Sequence, residues 1–194
     1  MAVHLHLSGN AEADRLISDD PLALLIGMVL DQQIPLERAF AAPAELRRRL
    51  GGTLDAESVA AMDPDELIAA FVERPALHRF PAANAKRVQS LCRMVVDDYD
   101  GDAAAVWTMA RTGPELLARV KALPGFGEQK AKIFVALLGK QLAVRPRGWR
   151  AAAGAFAEAG THRSIADITD EASLTQVRSY KQQMKAQAKA APAS

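Results

Sequence analysis

The chain has 194 residues, 49% of them hydrophobic and 24% charged, with a formal net charge of +1. That composition suits a soluble globular protein of one domain, or one globule of two lobes, around a sizeable core. One cysteine, Cys92, excludes an internal disulfide and any four-cysteine zinc or iron–sulfur site, and the longest apolar run, Leu22 to Leu30, is too short to span a bilayer. With no charged-then-apolar signal at its start, the chain reads as cytoplasmic.

In chain order, Val3 to Leu7 alternates apolar and polar residues, the pattern of an extended arm or short edge strand. His4 and His6 lack a third ligand at suitable spacing and read as solvent-facing. Asn10 caps a short helix to about Ile17, and Asp20-Pro21 starts a firmer one from Leu22 to about Asp31, apolar nearly all round and so central and buried. Ile34 precedes a proline, so Asp31, Gln32 and Gln33 lie at a helix end, where glutamines can make outward polar contacts. A helix from Pro43 to Leu50 follows, with Arg47, Arg48 and Arg49 as an exposed face and Gly51-Gly52 as its stop. Asp55 and Asp63 read as N-caps, the second within a capping box, and that helix ends before Pro75. A longer helix from Pro81 carries an inward stripe of Ala85, Val88, Cys92 and Val95. After Tyr99 to Asp102 a short helix holds Val106 and Trp107. Late in the chain, Asp170 caps a helix with Leu174, Val177 and Met184 inward, fading into a frayed tail after about Lys185. No repeat and no convincing sheet appear, so the fold is all-α.

The most informative stretch is Leu123-Pro124-Gly125-Phe126-Gly127, with a short helix from Pro114 to Val120 before it. After it, Ala131, Phe134, Val135 and Leu138 mark a helix with one apolar face. Helix, tight glycine hairpin and helix together suit anion capture, because the second helix begins with unpaired N–H groups and the positive end of its dipole. Phe126 should pack between the two helices. No Asp or Glu occurs between Glu128 and Glu158, whereas Lys130, Lys132, Lys140, Arg145, Arg147 and Arg150 all fall there. That block of six cations in a nearly neutral chain has the character of a surface that neutralises nucleic-acid phosphates.

In this order of parts the chain resembles the helix-hairpin-helix base-excision DNA glycosylase superfamily (HhH-GPD), which includes endonuclease III and the alkyl-adenine glycosylases. The matching pieces are Leu25 to Gln33, the helix from Phe80 to Cys92, the Leu123 to Gly127 hairpin, and Leu142-Ala143-Val144 with its following loop, over roughly residues 20 to 157. The resemblance implies a two-lobed all-α fold, with residues 1–19 as an arm and short helix, 20–160 as the glycosylase-like domain, and 161–194 as a C-terminal helix and tail on the same globule. It implies a monomer near the nucleoid that binds double-stranded, damaged DNA: Gly125 and Gly127 hold the backbone, Gln33 enters the duplex or lines the pocket, and a damaged base is flipped. Lys130, Lys132, Arg145 and Arg147 are the expected phosphate contacts. No membrane and no cofactor are implied beyond a monovalent cation the hairpin could hold.

The departures carry weight. The family's catalytic aspartate follows an apolar triplet like Leu142-Ala143-Val144, and Arg145 stands there instead. The lysine of its strand-cleaving members corresponds to Gln129, so lyase activity is not expected. An aspartate would stabilise an oxocarbenium-like sugar and orient water, which an arginine opposes. The best-placed substitute is Asp31, beside the two glutamines. Three readings follow: a monofunctional glycosylase working through water, a damaged-DNA-binding protein without catalysis, and a helical domain turned into a protein-interaction surface. The cation block disfavours the last.

Overall fold

The computed structural model describes residues 4–190, which form eleven α-helices and two 3-10 turns with no strand among them. Val3, at the start of the expected arm, lies outside that range. The arm buries Leu5 and Leu7 and leaves His4 exposed, while the backbone N–H groups of Leu7 and Ser8 donate to Asp14 Oδ1 at 3.0 and 2.7 Å. Side-chain bonding thus replaces strand pairing. Asp14 belongs to α1 (Ala11–Asp19), capped by Asn10, and Asp20 caps α2 (Pro21–Leu30), in which every residue from Leu22 to Leu30 is buried.

α3 (Leu36–Arg49) corrects the expected start at Pro43: the helix begins seven residues earlier and carries Pro43 in its interior. Proline there withholds an N–H from the Ala39 carbonyl, a cost offset by burial of Ala39, Phe40 and Leu46 around it. The contact with α2 is close, since a Cβ on Gly27 would stand 2.6 Å from Phe40 Cδ1. Arg49 is a second correction. Its side chain is 1% exposed, and its guanidinium donates to the carbonyls of Ala70, Glu73 and Pro75 while pairing with Glu45. A planar five-donor fork suits several carbonyls at once, whereas Arg47 and Arg48 stay exposed as expected.

α4 (Ala56–Ala61) and α5 (Pro64–Val72), capped by Asp55 and Asp63, pack on α6 (Pro81–Tyr99). With α1, α2 and α3 these form the first lobe. The second holds α7 (Ala105–Thr108), α8 (Gly113–Ala122), α9 (Glu128–Gln141), α10 (Trp149–Ala153), the 3-10 turns Gly154–Ala157 and Ile165–Asp167, and α11 (Glu171–Ala190). α11 runs helical past Lys185, as its Lys, Gln and Ala residues favour, and the expected inward Met184 is 45% exposed because only Leu174 and Val177 reach the core. Arg178 of α11 pairs with Glu37 of α3, joining the lobes.

Candidate nucleic-acid interface

The hairpin between α8 and α9 separates the tasks of its two glycines. Gly125 has φ +85°, the left-handed conformation that turns the chain. Gly127 has φ −83° and ψ 175°, ordinary extended backbone, so no positive φ requires glycine there. It is exposed, a Cβ would meet nothing within 4 Å, and it caps α9 without a side-chain bond. The absence of a side chain leaves the first N–H groups of α9 open to approach from outside. Phe126 packs inward, 5.8 Å from Phe134, as its position between two helices predicts.

Lys130 turns away from that outer face. Its Nζ donates to the Met28 carbonyl at 2.7 Å, at the C-terminal end of α2, where a cation complements the helix dipole. Burial pulls its pKa below the usual lysine value, nearby Asp31 partly restores it, and Arg87 lowers it further. Arg87, from α6, makes a second tie: a Cβ on Gly125 would stand 2.7 Å from its Cδ, and its Nη1 donates to Gln32 Oε1 at 3.3 Å. Hairpin and glutamine turn are therefore held on one side of the molecule.

The glutamine turn is built firmly. Gln33 is exposed at φ +59°, uncommon for a residue with a Cβ. Behind it the buried His78 donates from Nε2 to the Gln32 carbonyl at 2.8 Å, while its Nδ1 accepts from Phe80 N at 3.0 Å and from Asn84 Nδ2 at 2.8 Å. Two bonds into Nδ1 require the neutral ring, and burial pulls the His78 pKa down in the same sense. Phe80, 47% exposed, stands at the mouth with the Arg79 guanidinium 5.2 Å from its ring centroid. Gln32, Gln33, His78, Phe80, Asn84 and Arg87 line a hollow of about 170 Å³. His78, Phe80, Asn84 and Arg87 were not singled out by the sequence reading; an aromatic residue just before Pro81 at a helix start was the one available signal.

Asp31 follows the last turn of α2, its N–H bonded to the Gly27 carbonyl at 3.0 Å. Burial raises its pKa, and the charges of Lys181 and Lys130 act against that rise. This half-buried carboxylate directly precedes the glutamine turn in the chain and is effective as a base only when ionised.

The six cations do not form one surface. Lys132 pairs with Glu128 at 3.1 Å, Lys140 with Asp167 at 2.5 Å, and Arg145 Nε donates to the Gly139 carbonyl at 2.8 Å. That last contact ties Arg145 to α9 ten residues beyond Gln129, about 15 Å along the helix at 1.5 Å per residue. Arg147 is exposed, on a loop held by its carbonyl bond from Gly113 N at 2.8 Å. A Cβ on Gly113 would stand 2.5 Å from the Gly148 backbone, so glycine lets these loops meet. Exposed Arg111 precedes Thr112, whose backbone bridges to Arg147, and the sequence alone did not pair these two arginines' segments.

A family model described as HhH-GPD superfamily base excision DNA repair protein matches residues 26–192, a span that includes the glutamine turn, the hairpin and α11. No curated protein and no solved structure matches the chain.

Proposed function

The chain belongs to the HhH-GPD superfamily of base excision DNA repair proteins, and from that premise we propose that it holds duplex DNA by the outer face of the Gly125–Gly127 hairpin and probes for a damaged, flipped base at the cleft beside Asp31 and Gln33. The observation that carries this reading is the double tie of Lys130 to Met28 and of Arg87 to Gln32. It brings the start of α9 beside an exposed glutamine and an exposed Phe80, which supports a grip on the backbone where side chains can enter the stack. Lys132 and, at the far end of α9, Arg147 supply cations for flanking phosphates. In this reading Asp31, next to the glutamine turn, is the carboxylate that assists hydrolysis of the N-glycosidic bond.

Arg145 supports a second reading, a reader of damaged DNA that leaves the base in place. Arg145 stands at the sequence position where the resemblance leads one to expect the superfamily's aspartate, and its guanidinium folds back onto α9. Single-turnover base release, protein in excess, on duplexes with alkylated, deaminated or oxidised bases separates the two. Release from one lesion class establishes the glycosylase. Preferential binding to a lesion without release establishes the reader. Equal affinity for damaged and undamaged duplex with no release overturns both.

A further inference from the structure

On the second lobe, sharing no residue with the hollow at the glutamine turn, a cavity of about 510 Å³ opens between the end of α9, the start of α10 and the segment from Ala157 to Thr169. Its one deeply buried carboxylate, Asp167, is fully engaged: it pairs with Lys140 and accepts from the backbone N–H groups of Arg163 and Ser164 at 2.8 and 3.2 Å. Glu158 is neutralised by Arg163 at 2.9 Å. Two guanidinium groups on the lining have no such partner among the described residues. Arg145 uses only Nε, on Gly139, and Arg150 lies 4.8 Å from the Trp149 ring centroid without an ion pair. His162, also on the lining, has a buried Nδ1 with no hydrogen-bond partner. A buried polar atom left unmatched in a folded protein asks for a partner, and here it shares the lining with two exposed guanidinium groups that make no ion pair.

We propose that this cavity binds a phosphomonoester on an organic body of about nucleoside size. The phosphate matches the Arg145 and Arg150 guanidinium groups, which favour fork-like bonding to such oxygens. The volume falls in the range of pockets for small organic ligands, and Ala157 and Ala166 give it an apolar part. A free mononucleotide and the 5′-terminal nucleotide of a DNA strand share this chemistry. The site does not depend on the hairpin, so its failure would leave the proposed DNA function standing.

Titration calorimetry of the full chain with thymidine 5′-monophosphate, thymidine and inorganic phosphate tests the proposal. The monophosphate binds saturably, thymidine does not, and phosphate alone binds more weakly. Arg150→Ala and His162→Ala each weaken the monophosphate about tenfold with unchanged melting temperature. Ala159→Trp, at an exposed lining position, blocks it without touching the core. Competition by a 5′-phosphorylated single-stranded oligonucleotide, but not its 5′-hydroxyl form, assigns the ligand to a strand end; competition by neither assigns it to the free nucleotide. No monophosphate binding by the wild type, or binding that survives both Arg150→Ala and Ala159→Trp, overturns it.

Discussion

Lys130 Nζ and the Met28 carbonyl stand 2.7 Å apart, so the first turn of α9 is fastened to the last turn of α2. The cation nearest the hairpin in sequence is thus a structural tie between the lobes. Lys130→Met should cost about 1–3 kcal/mol in chemical denaturation by leaving that carbonyl unmatched. Because the folded pKa lies below the unfolded one, the native state releases its proton first as pH rises. The penalty for the buried charge is full below the folded pKa and relieved as pH climbs toward the ordinary lysine value; the variant should lack that alkaline gain. Borohydride should trap no DNA adduct, and an adduct lost in Lys130→Met would make the lysine a nucleophile after all.

Asp31 offers paired readouts from one substitution. Its folded pKa is raised, mainly by burial, so stability falls as pH rises from the unfolded value through the folded one. Asp31→Asn should therefore melt higher than wild type at neutral pH, with the gap closing below the ordinary carboxyl value of 3.8. If base release occurs, the same variant should lose about 10²–10⁴-fold in rate while DNA binding survives. Full release by Asp31→Asn would remove Asp31 from the chemistry.

The two hairpin glycines should respond differently to alanine. Gly125→Ala forces a Cβ into left-handed backbone and against Arg87, at a cost of about 2 kcal/mol. Gly127→Ala meets open space and should change stability by less than about 0.5 kcal/mol. It should nonetheless weaken duplex binding about tenfold by screening one backbone contact to phosphate. Fluorescence anisotropy at two salt concentrations reads this directly, and unchanged affinity would place the phosphate elsewhere.

Arg49 is the stability counterpart. Arg49→Met should cost roughly 2–4 kcal/mol, because three carbonyls lose a shared donor. Arg49→Lys should recover little, since an ammonium cannot span them. The Arg48 and Arg49 hydrogen bonds hold Glu45 down at about 2, so its contribution is present above 4.5 and lost as pH falls through about 2. Acid titration of wild type against Glu45→Gln checks that window.

Helix starts were legible because they are local: Asn10, Asp20, Asp55 and Asp63 each bond N–H groups two or three residues ahead. The hairpin and the glutamine turn were legible for the same reason, through glycine and proline chemistry. What escaped depended on distant partners. Pro43 sits inside a helix because Phe40 packs against α2, and Arg49 is buried because carbonyls 21 to 26 residues on converge upon it. Most plainly, the run of six cations divides once Met28, Glu128, Asp167 and Gly139 supply partners. The Phe80 and Arg87 roles needed the turn at Gln33 to be placed first.

α9 also acts as a ruler. Its 14 residues give a rod of about 21 Å, with the glycine hairpin at one end and the loop bearing Arg147 beyond the other. Successive phosphates on one strand recur about every 3.4 Å of helix axis. A duplex lying along this rod would have about six base pairs between its two points of contact, so protection from backbone cleavage should appear as two separated patches, with spacing set by the length of a helix rather than by DNA sequence.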